Sequence, residues 1–157
     1  MTRIGVAGHQ DLPHAAIDYI TQGIRGVLAQ YDHVIGYSSL AAGADQLFAT
    51  EVLDGGGQLH VVIPSAGYTT TLDGDAAALY KRLLASASGT TQLPFPAPGE
   101  DAYEAAGQWI ATESELLIAV WDGLPARGRG GTADTVAYAC ELDREVRVIW
   151  PAGMTRS

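Results

Sequence analysis

The stretch "PARGRGGTADTVAYA" at 125–139 sets two arginines, two adjacent glycines, a threonine and an aspartate within a few positions of one another. Those residue types together suit a phosphate. A guanidinium presents a planar fork that matches phosphate oxygens, so Arg127 and Arg129 are candidate ligands. Gly130 and Gly131 allow close backbone approach, and a helix starting near Thr132 would offer free N–H groups and a positive dipole end. Thr132 adds a hydroxyl. The plainer alternative is an N-capping Thr132 behind an ordinary turn with solvated arginines. The whole chain has nine Lys and Arg among 157 residues and a formal net charge of −9, which makes two cations in one turn a concentrated local charge.

Ligands of an open parallel sheet sit beyond the carboxyl ends of its strands, near the point where strand order reverses. The candidate residues should therefore follow apolar runs, and they do. "TRIGVAG" ends on Gly8 and leads to His9 and Gln10; "HVIGYS" ends on Ser38 and leads to Ser39, Gly43, Ala44 and Asp45; after "QLHVVI" come Pro64 and Tyr68; "ELLIAVW" ends on Trp121 and leads to Asp122 and Gly123. Several have two readings. Asp45 either touches ligand or complements a helix dipole. Asp122 accepts from a sugar hydroxyl or from its own turn, Tyr68 stacks on a base or covers its loop, and His9 is a ligand contact or a structural histidine.

The elements that must position these residues alternate in type. Short Val- and Ile-rich runs read as strands at about 2–8, 33–38, 58–63, 115–121 and 146–150, with a weaker one near 90–94. Between them, helical spacing predicts helices at about 13–30, 43–54, 74–87, 100–113 and from 132. Alternation of this kind marks a single α/β domain, a doubly wound parallel sheet with helices on both faces and strand order near 3-2-1-4-5-6.

The loops "GVAGHQDL", "SSLAAGADQLFA" and "LHVVIP", with "LLIAVWDGLPARGRGGTADTVAYA", resemble the SLOG superfamily of Rossmann-like domains, named after the Smf DNA-processing proteins and the lonely-guy phosphoribohydrolases. That resemblance covers nearly the whole chain and implies binding or sensing of a nucleotide-derived small molecule, often beside an effector. It also implies a homodimer, since related domains often pair through helices. Similarity to nucleoside 2-deoxyribosyltransferases implies the rival reading, an N-glycosidase using Asp134 with Arg127. Two departures favour binding without turnover. The phosphoribohydrolases carry a glutamate three residues beyond the threonine, where this chain has Thr135; Asp134 lies one position earlier, a rotation of about 100° on a helix. No Lys or Arg occurs from Leu83 to Ala126, so the expected arginine of the preceding helix is missing.

Composition bounds the rest. The pI near 4.6 argues against an extended nucleic-acid surface, which needs cations to replace released counterions. A single cysteine, Cys140, offers no metal spacing and reads as a small core residue; neither metal nor cofactor is expected. No apolar run nears the roughly 20 residues of a membrane span, and no leader is evident, which gives a cytoplasmic expectation.

Overall fold

The computed structural model describes residues 1–125 and 130–155. Arg127 and Arg129, the expected phosphate forks, lie outside the described residues.

Six parallel strands form one sheet in the order β4-β3-β2-β1-β5-β6. They are β1 (Thr2–Gly8), β2 (Val34–Ser38), β3 (Gln58–Ile63), β4 (Gly89–Gln92), β5 (Leu116–Val120) and β6 (Glu145–Val148). The five helices are α1 (Ile17–Leu28), α2 (Ala44–Asp54), α3 (Gly74–Ala85), α4 (Glu100–Glu113) and α5 (Thr132–Glu141). A 3-10 turn, His14–Ala16, leads into α1 after Pro13, and a second, Tyr68–Thr71, follows β3.

From β1 the chain winds outward through β2, β3 and β4, then returns over α4 to pair β5 with the free side of β1, from Ile4 opposite Leu116 to Gly8 opposite Val120. Parallel crossovers are right-handed, so reversing the direction of winding moves the helices to the other face. Ile20, Ile24, Phe48 and Val52 of α1 and α2 accordingly pack on Ile4, Val6 and Ile118, and α3 joins that face through Tyr80 and Leu83 against Leu59 and Val61. Ala106 and Ile110 of α4, with Val136 and Ala139 of α5, cover Ala7, Leu117 and Ala119 on the opposite side.

The expected order is right in its parallel sheet and central β1, and differs in the place of β4. The reason is polarity. "GTTQ" alternates between partly and fully exposed positions, which suits an edge, whereas "LLIAV" is buried at every position and fills the slot beside β1. Cys140 also differs: it is exposed on α5 rather than part of the core, which Val136 and Ala139 supply.

Candidate ligand-binding cleft

The reversal between β1 and β5 places the loops after β1, β2 and β3 and the start of α5 around one cleft of about 440 Å³. Of the expected residues, Gly8, His9, Gln10, Ser39, Asp45, Pro64, Tyr68, Gly130, Gly131 and Thr132 line it.

Its α5 end is built from backbone. Gly131 is the N-cap and provides no side chain, so Thr132 is the first helical residue rather than the cap. Thr135 N–H donates to the Gly131 carbonyl at 3.2 Å, closing the first turn. The amides of Thr132, Ala133 and Asp134 have no acceptor among the described residues. Thr132 is 8% exposed, and its hydroxyl likewise makes no hydrogen bond there. Several orphan donors thus sit at the positive end of a ten-residue helix.

Gly130 lines the cleft and also meets a packing demand. Its φ of +78° favours glycine, and a Cβ there would lie 2.5 Å from the Glu104 amide nitrogen. Its bare backbone is therefore required by close packing on α4. Asp134 Oδ2 accepts the Gly130 N–H at 3.1 Å, which fastens the turn. The Asp134 side chain lies outside the cleft and lines a shallow depression between α4 and α5 with Gln108 and Tyr138. As a catalytic carboxylate it is badly placed for anything bound in the cleft.

The β2 loop is set by Gly43, whose φ is +81° and whose missing Cβ makes room for the Gln10 and His9 carbonyls. Ala44 N–H then donates to the His9 carbonyl at 3.1 Å, tying the start of α2 to the β1 loop. Gly43 and the fully buried Ala44 hold the cleft wall without lining it. Ser38 is a clamp as well: its Oγ accepts from Leu40 N–H at 3.0 Å and donates to the Asp45 carbonyl at 3.2 Å. Asp45 does face the cleft. Its Oδ2 accepts a long 3.3 Å bond from Ala41 N–H, and its Oδ1 has no partner among the described residues. Burial pushes the carboxyl up to about 7, opposed by the Ala41 amide.

Across from Asp45, Tyr68 is 5% exposed and packs edge-on against Tyr80 and Tyr103, at ring separations of 6.0 and 6.5 Å. Burial, with Asp45 adding to it, raises the Tyr68 phenol, so its hydroxyl stays protonated. Tyr103, Leu72, Thr71, Gly107 and Thr135 also line the cleft, as does Asp11, and none of them was among the expected site residues. Tyr103 was legible only as an apolar position of α4. Nothing local signalled that the return crossover would bring it beside the β3 loop.

His9 both lines the cleft and braces it. Its Nε2 accepts the Asp122 N–H at 3.2 Å, and its ring meets Trp150 edge-on at 5.4 Å. Asp122 serves its own turn, where Oδ1 accepts Leu124 N–H at 3.0 Å while Trp121 Nε1 donates to the Leu124 carbonyl at 2.8 Å. Trp121, Asp122 and Gly123 therefore end β5 outside the cleft lining.

A larger cavity, about 540 Å³, opens at the opposite end of the sheet between the last turns of α1 and α2. No strand-end loop of the kind that follows β1, β3 or β5 reaches it. Its one cation among the described residues is already paired, Arg25 forking onto Glu51 at 2.7 and 3.1 Å. The smaller cleft is the better candidate. Among the described residues there is no helix long and apolar enough to cross a membrane and no cluster of metal-ligating side chains.

No family model matches the chain, and no curated protein matches it in sequence. Solved structures match its fold. DNA processing protein A of Streptococcus pneumoniae superposes with a TM-score of 0.72 at 19% identity, over 98% of this chain and 52% of that one. The Helicobacter pylori DNA processing protein A gives 0.70 at 12% identity, over 99% and 68%. The molybdenum cofactor binding protein of Rippkaea orientalis gives 0.61 at 16% identity, over 94% and 75%. The chain thus spans about half the length of the S. pneumoniae protein, and what it shares with all three at these identities is the Rossmann-like α/β fold.

One expectation is overturned here. An extended nucleic-acid surface was excluded on acidic net charge, yet the H. pylori protein of this same fold binds single-stranded DNA. The charge of the whole chain therefore does not decide the matter, because a strand can be held by backbone amides and a few local cations.

Proposed function

We propose that this chain of SLOG-type Rossmann-like fold binds a nucleoside phosphate without turning it over. The observation that carries the proposal is the start of α5, where amides and the Thr132 hydroxyl with no partner among the described residues lie at the cleft by the β1/β5 reversal. The phosphate sits on those groups, with Arg127 and Arg129 as further ligands. The nucleoside extends past Gly8 and Gln10 toward Ser39, Asp45 and Tyr68. Cleaving a base from ribose requires a carboxylate beside the sugar. Asp134 accepts the Gly130 amide and is absent from the cleft lining, which speaks against hydrolysis by that carboxylate.

A panel of nucleoside monophosphates, followed by thermal shift and by release of free base, tests this reading. The expected result is stabilisation, about 2.7 kcal/mol at 100 times Kd, with no released base. Base release abolished by Asp134→Asn would establish the N-glycosidase instead. Replacing Arg127 and Arg129 by Ala should weaken monophosphates far more than nucleosides.

The fold shared with the H. pylori protein supports a second reading, in which the same receptor holds one phosphate of a single strand. Labelled oligonucleotides competing with mononucleotides would separate the two. Tighter binding of the strand that mononucleotides displace favours the second.

A further inference from the structure

Resting on the nucleotide reading, we infer that the cleft selects a ring bearing the 2-amino-4-oxopyrimidine edge, as in guanine or a pterin, and that Asp45 is the residue that reads it. Three observations lead there.

The first is the position of the carboxyl. An aspartate that merely complements a helix dipole works from the surface, but Asp45, in the first turn of α2, is half-buried in the wall of the cleft. The second is its unused bonding capacity. A carboxylate has about four acceptor positions. In Asp45 the described residues use one, the long bond from Ala41, and leave Oδ1 open. The third is the neighbourhood. Pro64, Leu72 and Tyr103 give this end of the cleft an apolar lining suited to the face of a flat ring, and the buried Tyr68 adds a hydroxyl with no partner among the described residues.

A carboxylate offers acceptors only, two oxygens side by side. The complementary partner is a pair of parallel N–H donors. The N1–H and 2-amino group of guanine form such a pair, and the equivalent ring atoms of a pterin form the same one. Adenine presents a bare N1 lone pair at that edge, and hypoxanthine lacks the amino group. Charge-assisted pairs are the strong hydrogen bonds, and a buried one left unmade is costly, so the difference between rings should be large. Burial raising the carboxyl to about 7 agrees with this reading, because the Ala41 amide alone only partly offsets the desolvation and a guanine edge would supply further donors.

The experiment is a calorimetric titration at pH 8, where Asp45 is ionised, with GMP, IMP, AMP and a 6-substituted pterin phosphate. The expected result is GMP binding at least about tenfold tighter than IMP or AMP. In Asp45→Asn, GMP should fall to the level of IMP while AMP is unchanged or improved. If the pterin phosphate binds tighter than GMP and shows the same loss in Asp45→Asn, the ring edge is supplied by a pterin. AMP binding as well as GMP to the wild type would overturn the inference while leaving the nucleotide reading standing. Equal weakening of all ligands by Asp45→Asn would overturn it too, reducing Asp45 to a support for its loop. No binding by any of the four would bring down the nucleotide reading itself.

Discussion

Asp45 and Thr132 show how polar groups are held in the cleft wall at the expense of local comfort. The Asp45 carboxyl sits near 7 in the fold against about 3.9 in an unfolded chain, so the folded state holds its proton more tightly. The stability this contributes is fully present below about pH 4 and is lost as pH rises through about 7. Asp45→Asn keeps an acceptor for Ala41 and removes the ionisation. Its melting temperature relative to wild type should therefore rise between pH 4 and pH 8.5, by at least about 3 °C. A constant difference across that range would show that Asp45 is well solvated. Thr132→Val keeps the shape and deletes the hydroxyl, and should weaken a monophosphate about tenfold by titration while leaving the free nucleoside unaffected. Residues of this kind were partly legible in the chain. Ser39, Asp45, Tyr68 and Thr132 follow the apolar runs as a ligand site requires. Ser38 and Asp122 were not separable from them, because a hydroxyl or carboxylate that clamps its own loop has the same type and spacing as one that meets a ligand.

At the level of elements, two of the glycines with positive φ, Gly43 and Gly130, decide how the loops converge. Gly43→Ala would put a methyl against the Gln10 and His9 carbonyls at a φ of +81°, and Gly130→Ala would press one into the backbone of α4. Each should cost about 2–4 kcal/mol in denaturant unfolding, since neither backbone can move away without parting two loops. Gly56→Ala, where φ is +83° and no atom lies within 4 Å of the new methyl, carries the conformational strain without the collision and should cost about 1 kcal/mol. Strand and helix identities were readable from periodicity, because doubly buried parallel strands are apolar throughout and the amphipathic helices repeat every three or four positions. The location of β4 was not read correctly, though its polar "GTTQ" held the clue that it belonged at an edge. The part played by α4 in the cleft was not legible at all. It depends on which face the return crossover takes, a property of the completed winding rather than of residues 100–113.

For the molecule as a whole, an acidic chain that holds an anion must do so at short range. A net charge of −9 repels a nucleotide at a distance, and salt screens that repulsion along with the local attraction. Raising sodium chloride from about 50 to 300 mM should therefore change monophosphate affinity by less than about threefold. A single strand neutralised by several cations would lose affinity with a slope of about 0.7 per phosphate in log–log form, so the salt titration also separates the two readings of the cleft. The most direct measurement of the central claim is an amide chemical-shift titration of 15N-labelled protein with GMP and, separately, with guanosine. The account predicts that the largest phosphate-dependent shifts fall on Thr132, Ala133 and Asp134 and vanish when guanosine replaces GMP. Identical shifts with both ligands, or phosphate-dependent shifts confined to residues outside the cleft, would contradict it.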